Sequence, residues 1–134
     1  MRDIRDHLAH PLTDEQQRET VLQAQRVAHA LQLTYQGKVL DVILFGGYAR
    51  GDAVDLSDVD LGIKWHKNTF DFDALSDQLD DTIKTITQGF GIPSTDFHAT
   101  PIGPQWLEQP DKYKQTLKYE VLEAMRSEGK SLLH

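Results

Sequence analysis

A short apolar run that stops at two glycines is the feature of this sequence that most constrains its fold. Residues 38 to 45, KVLDVILF, are rich in β-branched and large apolar side chains, and Gly46 and Gly47 follow directly. A run of this length and composition, ended by glycines, is typical of a strand buried on both faces of its sheet. We therefore expect other elements to cover the sheet on both sides.

Three segments have the periodicity of amphipathic helices. Thr13 and Gln16 stand at capping-box spacing, and apolar residues then recur with a helical period, which predicts a helix over residues 13 to 36. The same kind of spacing predicts a second helix over residues 72 to 89 and a last one over residues 114 to 129.

The region between the last two predicted helices has strand character at its start. Residues 94 to 100, STDFHAT, predict a strand in which Asp96 and His98 share one face. Residues 101 to 113 contain several prolines and predict a loop. Together with the earlier elements, this order predicts an α/β (α+β) fold, a mixed β-sheet flanked by helices.

Length and composition limit the class of protein. A chain of 134 residues suits one domain, so residues 1 to 134 are expected to form a single unit. The net charge of -7 argues against direct binding of nucleic acid. The chain has no cysteine, its first residues are charged, and its apolar runs are short, so we expect a cytoplasmic protein without membrane contact.

Two carboxylates on one strand face are the unusual part of the sequence. In SDVDLGIKW, residues 57 to 65, polar and apolar side chains alternate, so Asp58 and Asp60 point the same way. At a separation of roughly 5 Å and an effective dielectric constant near 20, their repulsion is about 3 kcal/mol. A bound cation would relieve it, and an oxygen-only site without cysteine favours Mg²⁺ or Mn²⁺ over zinc.

The glycines upstream suggest what such a cation would accompany. A backbone without Cβ atoms can bring its N–H groups against phosphate oxygens, so Gly46 and Gly47 favour a phosphate ligand. The segment lacks the Gly-Lys-Ser/Thr ending of a P-loop, and it leads into a strand, whereas a dinucleotide-binding fingerprint leads into a long helix.

Other patterns favour ordinary explanations. The tripeptide Arg-Gly-Asp at residues 50 to 52 suggests cell adhesion, a function that does not suit a cytoplasmic chain. Trp65 and Trp106 could stack on a base, but packing in the core or at its rim is the simpler explanation.

The stretch FGGYARGDAVDLSDVDLGI resembles the signature of the polymerase-β-type nucleotidyltransferase superfamily. That signature is a hydrophobic strand, Gly-Gly or Gly-Ser, a spacer, and Asp-x-Asp between apolar residues; here ten residues separate Gly47 from Asp58. The resemblance covers roughly residues 38 to 100 and implies a polymerase-β-like fold with this region as catalytic core. The small size is similar to that of the minimal nucleotidyltransferases (MNT) that pair with HEPN-domain toxins in toxin–antitoxin systems.

The resemblance implies two-metal catalysis. Asp58 and Asp60 would hold two Mg²⁺ ions, with Mn²⁺ as a substitute, and Asp96 would be the third catalytic carboxylate and metal ligand. Asp96 would also help to deprotonate an acceptor hydroxyl. The reaction would transfer a nucleoside monophosphate from ATP or another nucleoside triphosphate and release pyrophosphate.

The resemblance also implies nucleotide contacts. Gly46 and Gly47 would hold the β- and γ-phosphates through backbone N–H groups, and Arg50 would contact the departing pyrophosphate. Ser57 would orient the loop that carries Asp58. Many relatives have serine after the first glycine, so Gly47 is a departure that offers backbone only.

Purely structural explanations remain open for three of these residues. Asp96 also suits an ordinary surface strand. His98, on the same predicted face, is either a base or acceptor ligand or a polar strand residue without a catalytic role. Arg50 would alternatively pair with Asp52 or Asp55 across the turn.

The acceptor follows from an analogy with these relatives. About 38 residues follow Asp96, enough for a loop and a helix, so we expect a partner protein to complete the acceptor site. The favoured function is transfer of AMP from ATP to a hydroxyl, most simply a tyrosine, of a HEPN toxin that the chain neutralises as an antitoxin; a hetero-oligomer with the toxin is one state that this function allows. The alternatives are a nucleotidyltransferase for aminoglycosides or other small hydroxyl compounds, and a catalytically weak partner-binding module of the same fold.

Overall fold

The computed structural model describes residues 10–55, 57–92, 97–113 and 117–134. Five helices and four strands are assigned within these ranges. The helices are α1 (Asp14–Thr34), α2 (Gly47–Arg50), α3 (Phe72–Phe90), α4 (Pro110–Tyr113) and α5 (Tyr119–Glu128). The strands are β1 (Val39–Phe45), β2 (Val59–Trp65), β3 (Phe97–Ile102) and β4 (Lys130–Ser131).

The strands form one mixed sheet in the order β3-β2-β1-β4. β1 pairs antiparallel with both β2 and β4, whereas β2 and β3 run parallel. The connection between two parallel strands must cross the sheet, and α3 provides that crossover. The α/β fold predicted from the sequence, a mixed sheet flanked by helices, is confirmed.

The two faces of β1 are buried against different parts of the chain. Val42 and Leu44 belong to a cluster that includes apolar residues of α1 and α3. Ile43 and Phe45 belong to a second cluster, which α5 and Trp106 help to form. The expected burial on both faces therefore holds for residues 42 to 45, although Leu40, near the start of the strand, is 42% exposed.

The first helix begins as its capping pattern predicts. The Thr13 hydroxyl accepts a hydrogen bond from the Gln16 N–H at 3.1 Å, and the Gln16 side chain accepts one from the Thr13 N–H at 2.9 Å. The helix ends at Thr34, two residues before the expected end, because Tyr35 leaves helical geometry as the C-cap with ψ at 54°. Among the described helices, none combines the length and the apolar character needed to cross a bilayer.

The third strand differs from its prediction at its end. It continues through Pro101 and Ile102, which were expected to belong to a loop. A proline is tolerated here because β3 lies at the edge of the described sheet. On its outer side β3 pairs with no other described strand, so a missing N–H on that side breaks no hydrogen bond between strands. Residues 93 to 96 lie outside the described part of the chain.

The last helix begins later than expected, and a short strand follows it. Lys118 precedes the helix with extended backbone angles of φ −56° and ψ 136°, so the helix starts at Tyr119 and not near residue 114. Residues 114 to 116 are outside the described ranges. After the helix, β4 pairs with Ile43 and Leu44 of β1. Its sequence, Lys-Ser, has no strand pattern, so this strand was not predicted.

We expect Leu61→Ala to lower the free energy of unfolding by about 2–5 kcal/mol, because the substitution leaves a cavity in a fully packed core. Leu61 lies on β2 and is 0% exposed. The measurement is urea denaturation followed by circular dichroism. Leu22→Ala is the control, since Leu22 is 60% exposed and its truncation should change stability by no more than about 0.5 kcal/mol. Equal losses in the two variants would contradict the packing described here.

Candidate functional site

The antiparallel pairing of β1 and β2 brings the glycine turn and the aspartate pair together. Phe45, the last residue of β1, lies opposite Asp60 near the start of β2. The chain then turns at Gly46 into the four-residue helix α2. The glycine turn and the aspartate pair, which ten residues separate in the sequence, therefore lie at the same end of the sheet.

Gly46 is required at its position for two reasons. Its backbone has φ 80° and ψ −158°, a conformation that residues with a Cβ atom rarely adopt. A Cβ atom at this position would also collide with Oδ2 of Asp60. The glycine therefore permits direct contact between the turn and the carboxylate.

Gly47 is also crowded, by the loop that follows α2. A Cβ atom there would lie 3.2 Å from Cα of Ala53, which is closer than ordinary van der Waals contact. A serine at this position would force the backbone near Ala53 to move by a few tenths of an ångström. The glycine that departs from the family pattern thus suits the close packing of this loop.

The N-terminal segment braces the same loop. The Asp55 N–H donates to the His10 carbonyl at 2.9 Å, and the His10 N–H donates to Oδ1 of Asp55 at 3.0 Å. The Leu12 N–H donates to the Ala53 carbonyl at 3.3 Å. These bonds hold the loop from outside, which limits how far it can move away from the glycine turn.

Ser57 organises the chain directly before the first aspartate. Its hydroxyl accepts a hydrogen bond from the Val54 N–H at 2.9 Å, and its own N–H donates to the Val54 carbonyl at 2.9 Å. Such a turn restrains the backbone that leads into Asp58. The orienting role that the family resemblance implies for Ser57 stays a prediction.

Asp60 lies on the face of the sheet that α5 covers, and Asp58 directly precedes β2 at the same cleft. Val59, Leu61 and Ile63 are buried in the cluster that includes α1 and α3, so the side chain of Asp60 takes the other face. Asp60 is half-buried, whereas Asp58 is exposed. Burial raises the pKa of the Asp60 carboxyl above its ordinary value; nearby His98 opposes this shift and the charge of Asp58 adds to it.

His98 lies beside Asp60 across the parallel pair of strands. The register aligns Asp60 of β2 with His98 of β3, and the His98 side chain is exposed. Asp96, the expected third carboxylate, is outside the described residues. The structure therefore places Asp58 and Asp60 at one cleft, sets His98 beside Asp60 on the neighbouring strand, and leaves the position of Asp96 undescribed.

Arg50 is held by two carboxylates. Its Nε donates to Oδ1 and Oδ2 of Asp52 at 3.2 and 3.1 Å, and its Nη1 donates to Oε1 and Oε2 of Glu128 at 3.0 and 3.2 Å. These two hydrogen-bonded partners raise the pKa of Arg50 above its ordinary value, Asp52 more than Glu128. The pairing with Asp52 is the structural explanation that the sequence left open, whereas the contact with Glu128 was not expected.

An open cleft of about 450 Å³ lies between the glycine turn, the start of β2 and α5. Five acidic residues line it: Asp52, Asp58, Asp60, Glu120 and Glu128. Arg50 is the basic side chain in the described part of the lining. A cleft with this balance attracts cations, and it repels a free anion except near the guanidinium and the Gly46 N–H.

The described carboxylates fit a divalent cation. Asp58 and Asp60 offer oxygen atoms of the kind that Mg²⁺ binds, and a cation would offset the unfavourable burial of charge at Asp60. No three acidic or histidine side chains among residues 10–55, 57–92, 97–113 and 117–134 are grouped as a metal site. A third ligand would come from a residue outside these ranges or from a bound substrate.

The tryptophans pack within the protein. Trp106 is 2% exposed and stacks between Phe70 and Tyr113, with ring centroids 5.2 Å apart on each side. Trp65 lies edge-on to Tyr35, with centroids 5.6 Å apart. Core and rim packing, which the sequence left as the simpler explanation, accounts for both.

The amino-acid sequence matches the model of a known protein family. The sequence profile of the nucleotidyltransferase domain family matches residues 26–121, which is more than half of the chain. The chain belongs to the nucleotidyltransferase domain family. Membership supports nucleotidyl transfer as the general chemistry of the domain, and the matched residues contain the glycine turn and the Asp58–Asp60 pair.

A solved structure also aligns with this nucleotidyltransferase domain. A chain of the E. coli MS115-1 CdnC:HORMA-deltaN complex aligns with a TM-score of 0.47 and 14% sequence identity. The alignment covers 90% of this domain and 51% of the other chain, so the domain spans about half the length of that protein. No curated protein matches the sequence significantly.

Sequence reasoning missed the contribution of α5 to the cleft of this nucleotidyltransferase domain. Glu120, Val121, Ala124 and Glu128 line the cleft from one side of that helix. Their spacing is helical, so the sequence does show that they share a face. It does not show which part of the domain that face covers.

We expect Gly46→Ala to lower the free energy of unfolding by about 1–3 kcal/mol, because alanine is strained at this φ and its methyl group would displace Asp60. Gly89→Ala is the matched control: Gly89 lies within α3, and a Cβ atom there would meet no other atom within 4 Å. That substitution should stabilise the protein by up to about 1 kcal/mol. Thermal unfolding of both variants measures the difference, and the same sign for both would contradict the geometry of the turn.

Proposed function

We propose that this chain is a metal-dependent nucleotidyltransferase that transfers AMP from ATP to a hydroxyl group of a partner protein. In this proposal residues 1 to 134 act as one catalytic domain. Asp58, Asp60 and Asp96 are its catalytic carboxylates, and Gly46, Gly47, Arg50 and Ser57 form and orient its nucleotide site. The partner is a HEPN-type toxin, which the chain neutralises as an antitoxin in the cytoplasm.

One observation carries the proposal: a site for anions lies beside a site for cations in the same cleft. The Gly46 N–H and the Arg50 guanidinium both donate hydrogen bonds to the Glu128 carboxylate, so both can bind an anion. Asp58 and Asp60 line the same cleft and offer oxygen ligands. A nucleoside triphosphate with divalent cations presents both charges together, which suits this arrangement.

The proposed divalent cations would act on both the phosphates and the acceptor hydroxyl. Asp58, Asp60 and Asp96 would hold Mg²⁺ or Mn²⁺, and the bound ions would neutralise phosphate charge and lower the pKa of the acceptor hydroxyl. The role of Asp96 rests on the family resemblance, since that residue lies outside the described ranges.

The protein groups support a single displacement at phosphorus. The acceptor oxygen forms a bond to the α-phosphorus of ATP, the bond from that phosphorus to the oxygen bridging to the β-phosphate breaks, and pyrophosphate leaves. The hydroxyl proton passes to a nearby base, for which Asp96 is proposed. Gly46 and Arg50 donate to the oxygens of the leaving pyrophosphate, where negative charge increases.

The geometry of the cleft supports a macromolecular acceptor. Asp58 is exposed, and within the described residues the wall opposite the sheet is provided by α5 alone. A small acceptor would be left largely in solvent there, whereas a partner protein would cover the opening and exclude water. The HEPN toxin as that partner follows from the resemblance to minimal nucleotidyltransferases.

The acidic lining favours a second candidate, a small polycationic acceptor of the aminoglycoside type. Asp52 and the two glutamates of α5 that line the cleft, Glu120 and Glu128, would attract amino groups. This candidate predicts a product that forms without any partner protein. Incubation with ATP, Mg²⁺ and an aminoglycoside, followed by mass spectrometry for an added AMP, would detect it.

We expect the purified protein to label one protein of its native lysate from ATP that carries a labelled α-phosphate. Asp58→Asn and Asp60→Asn should each reduce this labelling by about a hundredfold or more, because each removes a proposed cation ligand worth several kcal/mol in the transition state. Chelation of divalent ions should abolish the label. Autoradiography after gel electrophoresis gives the measurement.

Asp77→Asn is the control for this experiment, since it makes the same chemical change at an exposed position of α3. It should label as strongly as the wild type. Labelling that survives in the Asp58 and Asp60 variants would contradict the proposed site. If no macromolecule is labelled while the chain still captures and neutralises a partner, the weak binding module becomes the better description.

The residue that accepts the proton of the acceptor hydroxyl can be identified with a second pair of variants. We expect Asp96→Asn to reduce labelling by about a hundredfold or more, because it removes a carboxylate that would bind a cation and accept the proton. His98→Asn should retain most of the activity, since the exposed His98 is proposed to be an ordinary strand residue. The reverse result would transfer the role of base to His98.

A further inference from the structure

The end of α5 places a carboxylate in the middle of the proposed phosphate site. Glu128 is the last residue of that helix, and its side chain is 22% exposed. Its Oε1 accepts hydrogen bonds from the Gly46 N–H at 3.3 Å and from Nη1 of Arg50 at 3.0 Å. These are the two groups to which the proposed function assigns the phosphates of the nucleotide.

The backbone behind Glu128 is fixed. Gly129 packs so closely that a Cβ atom there would meet the Met125 carbonyl and lie 2.6 Å from Cγ2 of Ile43. The next two residues form β4 and pair with β1. The position of the Glu128 backbone is therefore set by the sheet, while the side chain itself has three rotatable bonds and can turn away.

We propose that the Glu128 carboxylate is an internal competitor for the nucleotide: it occupies the donors at Gly46 and Arg50, and a triphosphate binds there only by displacing it. One N–H group and one guanidinium edge cannot serve both anions at full strength, and the two negative charges would repel each other in the same cleft. The inference rests on the proposed function, because it concerns the same donors.

Displacement needs only a change of side-chain rotamer. Arg50 keeps its hydrogen bonds to Asp52 when Glu128 leaves, so the guanidinium stays in place for the incoming phosphate. A triphosphate carries more charge than a carboxylate and therefore replaces it at sufficient concentration. Glu128 lies beyond residues 26–121, the part of the chain that the family profile matches.

The test is the affinity for ATP in the presence of Mg²⁺, measured by isothermal titration calorimetry. We expect Glu128→Ala to bind ATP about fivefold more tightly than the wild type, the scale of a partly exposed ion pair. Glu120→Ala is the matched control: Glu120 lines the same cleft from the same helix, and among the described contacts it has no hydrogen bond to Gly46 or Arg50. Its affinity should change by less than about twofold, as expected for a charge that is screened by solvent.

Two results would overturn the inference, and they have different meanings. If the wild type binds ATP and Glu128→Ala binds it no more tightly than Glu120→Ala does, Glu128 is not a competitor, and the proposed function stands. If neither the wild type nor Glu128→Ala binds ATP, the proposed function fails and the inference fails with it. Circular dichroism verifies folding, and if the alanine variant does not fold, Glu128→Gln, which keeps the side-chain length and removes the charge, decides by the same comparison.

Discussion

The candidate site depends on one interaction, the antiparallel pairing between the end of β1 and the start of β2. It places Phe45 opposite Asp60, and the chain leaves β1 through a glycine at which a Cβ atom would collide with the Asp60 carboxylate. A side chain at Gly46 would separate the turn from the carboxylate, and the positive φ excludes most residues in any case. The close approach of the turn to Asp60 lets the donors of the turn and the oxygens of the aspartates line one cleft.

The two faces of the sheet have different tasks. One face packs against α1 and α3 and contains most of the fully buried side chains, including Leu61 and Ile63. The other face bears Asp60 and Gly62 and is covered by α5, where Gly62 leaves room for Met125. Because residues alternate along β2, a single strand stabilises the core and presents a carboxylate to the cleft.

Charge in the cleft is balanced only in part. Arg50 donates hydrogen bonds to both Asp52 and Glu128. Asp58 is exposed to solvent, and burial disfavours the charged form of Asp60. Excess negative charge of this kind lowers stability unless a cation neutralises it. In the function proposed for this domain, bound divalent cations would neutralise part of this excess.

The sequence by itself determined the elements whose signals are local. The capping residues of α1, the periodicity of α3, the apolar run of β1 and the spacing of the glycines and aspartates all depend on neighbours a few positions apart, and the structure agrees with these predictions of fold. The start of α5, the strand β4 and the place of Glu128 were decided by tertiary structure. Glu128 meets Gly46 across 82 residues of chain, and β4 forms only because β1 offers it a free edge. Contacts over such distances arise from the packing of whole elements, and no local pattern of residues encodes them.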